Sequence, residues 1–146
     1  GISGANLVYT ELRRLNVPLP DICKITTAIA NHEEEIGQPV SPITSALILA
    51  DKSDAHRTRV HKQNASQIHD RVNLAIKDSS IEVDAVEKNI SLFLEFDSTI
   101  CQVMDFFEIY LYRMEMCKAA ANLLGCRYRL FINDLKILGH INNYQR

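Results

Sequence analysis

Ile81-Glu-Val-Asp-Ala-Val-Glu-Lys-Asn-Ile-Ser-Leu-Phe-Leu-Glu-Phe96 decides the fold class, because apolar residues recur there every second position. Ile81, Val83 and Ala85, then Ile90, Leu92, Leu94 and Phe96, alternate as half-buried strands do. Glu87-Lys-Asn89 between them is a short polar connection of the kind that joins hairpin strands. The alternation also reaches back across Asp78-Ser-Ser80 to Val72, Leu74 and Ile76, so an antiparallel meander is expected. Tyr128, Leu130 and Ile132 add a last strand, for about four in all.

Outward from this sheet the period becomes helical. Ser3 is a candidate N-cap, and Leu7, Val8, Leu12 and Leu15 recur until Asn16 and Pro18 stop the pattern. Pro20 suits the first turn of a second helix, with Ile22, Ile25, Thr26 and Ile29 inward, running to about Glu34 before Gly37. Ser41-Pro42 pairs a capping hydroxyl with proline at the first helical position, and the third helix should run to about Arg57. Beyond the meander, from about Ser98 to Leu124, the stripe Ile100, Val103, Met104, Phe107, Leu111, Met114, Ala121 and Leu124 predicts one long helix that Gly125 terminates. A sheet cannot bury its apolar side alone, so this helix should cover one face. The expected class is α+β: helices in 1–64, then an antiparallel sheet on one long helix in 65–146, packed as one domain.

Composition narrows the function classes. A chain of 146 residues with 47% apolar content can bury a sizeable core. A formal charge of −2 argues against a nucleic-acid partner, which calls for a basic face. Cys23, Cys101, Cys117 and Cys126 include no CxxC and lie in helix-like apolar sequence, as reduced thiols of a cytoplasmic protein would. No apolar run reaches the roughly 18 residues of a membrane span, and no signal-peptide pattern opens the chain.

The chemistry concentrates in Leu47-Ile-Leu-Ala-Asp-Lys-Ser-Asp-Ala-His-Arg-Thr-Arg-Val60, where an apolar helical run ends in carboxylates, a histidine and arginines. On a helix Ile43, Leu47, Ala50 and Asp54 share one face and Asp51 lies one turn beyond Leu47, so a carboxylate should continue a buried stripe and need a partner. Asp51 and Asp54, three apart, suit bridging a metal; they equally suit capping, pairing with Arg57 or solvation. His32, followed by Glu33, Glu34 and Glu35, suits a metal or phosphate contact or a surface histidine at a helix end. Arg57, Arg59, His61 and Lys62 have the chemistry to receive a phosphate, but such a run is more often a solvated face. The spacings of His56, His61 and His69 put them on no common helical face, so a zinc site with Asp70 is not expected. Met104, Met114, Met116 and the aromatics Phe106, Phe107, Tyr110 and Tyr112 point to core or a dimer seam. No Gly-rich phosphate loop and no GxSxG elbow occurs.

Asn31-His-Glu-Glu-Glu-Ile-Gly37, Ser41-Pro42 and Ala50-Asp-Lys-Ser-Asp-Ala-His-Arg-Thr-Arg-Val60 together resemble the later half of an HD-domain metal-dependent phosphohydrolase, over residues 3–60. The segment from Ile68 through Leu138, opening Ile68-His-Asp-Arg-Val-Asn73, resembles the C-terminal extension of a small bacterial subgroup of that family. The resemblance implies a helical bundle holding a divalent metal, with Asp51 as the late aspartate ligand, His32 as a further ligand, and Arg57 and Arg59 meeting phosphate. No histidine precedes His32, and His69-Asp70 follows the late aspartate, so the family's early ligands have no counterpart here. What remains is too few donors for an ion that takes about four to six. Two functions are therefore expected as alternatives. One is a metal-dependent phosphohydrolase for a phosphate ester or nucleotide, with an incomplete metal site. The other is a non-catalytic module on an HD-like scaffold that forms a homodimer or binds a partner, with Asp51 structural.

Overall fold

The computed structural model describes residues 1–34, 37–60 and 67–138. Its elements run α1 (Ile2–Arg14), α2 (Leu19–Ala30), α3 (Pro42–Ser53), a single 3-10 turn (Arg57–Arg59), α4 (Ile68–Ala75), β1 (Ile76–Asp84), β2 (Asn89–Phe96), α5 (Val103–Leu123), β3 (Arg127–Ile132) and β4 (Leu135–Leu138). The class is α+β. The chain divides into two compact units, Gly1–Asp54 with Leu111–Gly125, and Ala55–Tyr110 with the segment from Cys126 onward.

In the first unit, Ser41 caps α3 through its hydroxyl, which accepts from the Thr44 amide at 3.2 Å, and Pro42 follows as the sequence predicts. α2 buries Ile22 and half-buries Ile25, Thr26 and Ile29, the expected face. It ends at Ala30, however, so His32 and Glu34 lie in the connection to α3 and not in a last helical turn. α1 turns Ala5, Val8 and Leu12 inward, while Leu7 and Leu15 stay about 70% exposed, contrary to the expected stripe.

The inner face of α3 also differs. Thr44, Ser45, Ile48, Leu49 and Lys52 are buried, whereas Ile43, Ala50 and Asp54 are exposed. Ala46 to Ala50 is apolar without a break, so periodicity does not choose the face. Thr44 satisfies its buried hydroxyl against Ser41 Oγ at 2.9 Å, which lets a polar residue sit inward. α5 shows the same displacement: Phe106, Tyr110, Met114, Cys117 and Ala121 are buried, while Met104 and Leu111 are exposed. Gly125, at φ +71°, ends the helix in the left-handed conformation that glycine accepts without strain.

In the second unit residues 68–75 form α4, not a strand. Ile68, Val72 and Ala75 fit a helical face as well as Val72, Leu74 and Ile76 fit a strand, and a short apolar run does not separate the two. Inside, Tyr110 Oη donates to Asn73 Oδ1 at 2.6 Å, so α4 and the first half of α5 share a buried hydrogen bond. β1 instead continues through Asp78-Ser79-Ser80, with a bulge between Ile76 and Asp78.

The sheet has four strands in the order β1-β2-β3-β4. It is mixed, which corrects the antiparallel expectation: β1–β2 and β3–β4 are antiparallel, but β2–β3 is parallel. The cause is the long crossover between β2 and β3, which returns the chain to the same end of the sheet as a parallel pairing requires. Ile90, Leu92, Leu94 and Phe96 of β2 are buried with Tyr128, Leu130 and Ile132 of β3. Phe106 of α5 meets Phe96 edge-on, so the start of the long helix packs on the sheet. At the end of β2, Thr99 and Lys77 hold the half-buried Asp97 carboxyl down to about 2.

Candidate functional site

Asp51 sits in the last turn of α3 beside Lys52, whose side chain is only 8% exposed. A buried ammonium needs compensation, and two carboxylates provide it. Lys52 Nζ lies 2.6 Å from Asp51 Oδ2 and 3.8 Å from Glu34 Oε1. Arg113, on the second half of α5, brings its Nε to 2.5 Å from the same Glu34 oxygen, a close charge contact rather than an aligned hydrogen bond. Among the described residues, Glu34, Asp51, Lys52 and Arg113 are thus linked, two acids with two bases, within the first unit.

His32 lies nearby in sequence but is anchored separately. Its Nδ1 is 2.6 Å from the Ile29 carbonyl, so that nitrogen carries the proton and donates. In the neutral ring Nε2 then keeps its lone pair, and it has no hydrogen-bond partner among the described residues. Asp54 is the exposed C-cap residue of α3. Among the described residues, no three His, Cys, Asp or Glu side chains gather into a group that could hold a metal ion, so Asp51, Asp54 and His32 do not form one together.

Arg57 and Arg59 belong to the 3-10 turn of the second unit. Arg57 Nε donates to the Ile76 carbonyl at 3.5 Å, and its Nη2 is buried with no hydrogen-bond partner among the described residues. Arg59 is exposed. His56 caps the turn: its Nδ1 accepts from the Thr58 amide at 3.2 Å, and Nε2 donates to the Lys77 carbonyl at 2.8 Å. That imidazole has a structural assignment. His69 and Asp70 stand on α4, while Glu35, His61 and Lys62 lie outside the described residues.

Lys52, Glu34 and Arg113 are the members that sequence reasoning passes over. Lys52 follows Ile48 by four and Leu49 by three, so the signal is present once the inward face of α3 is known. Arg113 carries no such signal. Comparison with known proteins finds no family model, no curated protein and no solved structure that matches the chain. Among the described residues no helix is long and apolar enough to cross a membrane.

Proposed function

We propose that this chain is an HD-domain-like region of a metal-dependent phosphohydrolase acting on a phosphate ester or nucleotide in the cytoplasm. The observation that carries this reading is the His32 imidazole. Metal-binding histidines characteristically donate one ring N–H to a carbonyl and present the other nitrogen, and His32 is held in that way by Ile29. The sequence resemblance around Asn31–Gly37 and Ala50–Val60 supports it. His32 and Asp51 are nonetheless two donors where a divalent ion takes about four or more, so these residues do not make a metal centre by themselves. The test is calorimetric titration of the chain with Mn²⁺ alone, and hydrolysis of p-nitrophenyl phosphate with and without Mn²⁺. Binding that His32→Ala weakens by about tenfold or more, with metal-dependent turnover, is expected. Absence of both binding and turnover overturns the reading.

A second reading is favoured by the ion pairs, since Lys52 already engages Asp51 and Arg113 already engages Glu34. In it the chain is a non-catalytic, self-associating module on an HD-like scaffold, and Asp51 is a structural carboxylate. Asp51→Asn would then lower the melting temperature and leave Mn²⁺ titration unchanged.

A further inference from the structure

Cross-strand neighbours share a face, so register divides the sheet into two sets of side chains. One set is the buried face of β2 and β3. The other carries Phe93 and Phe131, partners in register and stacked, with ring centroids 4.7 Å apart and planes 13° from parallel; neither ring is fully buried.

Lys136 of β4 flanks the aromatic centre opposite Phe131, and beyond it charge is unevenly divided along the strands. At the end nearest the β3–β4 turn, Asp78 stands opposite Glu95 in the β1–β2 register, and both line a hollow of about 350 Å³ with Asp134 and the two rings. Like charges opposite each other on neighbouring strands repel. Among the described residues none of these three carboxylates takes a side-chain hydrogen bond or an ion pair. Glu82 continues the acidic side along β1. Diagonally across the same face, Arg127 and Arg129 stand beside Asn89 and Ser91, which are themselves buried. Asn89 keeps a buried side-chain oxygen there with no hydrogen-bond partner among the described residues.

We propose that a second copy of this chain covers this face as a two-fold dimer, an inference that rests on the self-associating reading and names its surface. A face with an aromatic centre, an acidic corner and a basic corner is complementary to itself. A two-fold axis in the plane of contact, passing over the Phe93–Phe131 pair obliquely to the strands, turns each acidic corner onto the basic corner of the other copy. Arg129 of one copy then enters the hollow beside Glu95 of the other, and the rings meet at the centre, where interfaces place their aromatic anchors. No new chemistry is required, because both charges come from one sequence.

Sedimentation equilibrium tests this with three proteins whose folding is checked by far-UV circular dichroism. The unaltered chain should give a mass near twice 16.6 kDa. Glu95→Lys alone and Arg129→Glu alone each set like charges face to face at both contacts and should weaken the dimer by at least about tenfold. Mixed in equal amounts, the two variants should regain the dimer, since each then offers the charge the other lacks. A monomeric parent chain overturns both the self-associating reading and this surface. A dimer that both single variants leave intact, or variants that dissociate singly and fail to recombine, overturns the surface alone.

Discussion

Lys52 shows how a single side chain can be both a liability and a filler. Its ammonium is held almost out of water, which costs several kcal/mol without a partner. Asp51 and Glu34 supply the compensation but are themselves 40% and 33% exposed, so water screens what the pairing returns. The four-carbon stem, meanwhile, fills space on the inner face of α3 that an apolar residue would occupy. The stem should therefore matter more than the charge. Lys52→Ala is expected to lower the unfolding free energy by about 2 kcal/mol, and Lys52→Met by less than half of that, in urea denaturation. Equal losses for the two variants would assign the stability to the ion pairs instead. Lysine is ordinarily a surface residue, so nothing in the sequence sets Lys52 apart from the carboxylates on either side of it.

Elements whose ends are marked by backbone chemistry are legible in the sequence; those distinguished only by apolar pattern are not. Ser41-Pro42 and Gly125 mark a helix start and a helix stop, and the structure places both there. The alternation from Ile90 to Phe96 is β2. By contrast α4 and the inward faces of α3 and α5 rest on apolar residues crowded enough to satisfy more than one period. The parallel β2–β3 pairing is a property of the crossover and not of either strand. One further marker is Asn133-Asp134, where both residues have positive φ, 49° and 66°, as a tight two-residue hairpin turn requires. Asn133 also completes the ladder: its Oδ1 accepts from the Phe96 amide at 2.7 Å, and its Nδ2 donates to the Phe96 carbonyl at 2.9 Å. Asn133→Gly loses those bonds but tolerates the dihedral, whereas Asn133→Ala loses both advantages. Thermal unfolding should show costs of about 1 and about 2 kcal/mol respectively, and a reversed order would refute the dihedral argument.

Across the whole molecule the thiols report which parts are closed to solvent. Cys23 is exposed, while Cys101 and Cys117 are buried; burial, and then the nearby Asp105 carboxylate, push the Cys101 thiol above its usual range. The thiolate is the reactive form, so a raised value and burial both slow attack. Brief iodoacetamide treatment of the native protein, read by peptide mass spectrometry, should label Cys23 first and spare Cys101 and Cys117 until denaturant is added. Early labelling of Cys101 would contradict this account. The candidate site is only partly visible from the sequence for a related reason: Asp51 and His32 stand out by residue type, but Arg113 joins their neighbourhood from 62 positions beyond Asp51.

The first unit is discontinuous, with α1 to α3 complete by Asp54 and its remaining part, Leu111–Gly125, arriving only after most of the second unit. During synthesis, at about 5–20 residues per second, the earliest helices must wait several seconds beyond Asp54 for the ribosome to deliver their last partner. Over that interval any apolar surface of α1 to α3 that Leu111–Gly125 goes on to cover is left for a chaperone or a neighbouring nascent chain to shield. A fragment expressed as residues 1–54 would be arrested permanently at that stage.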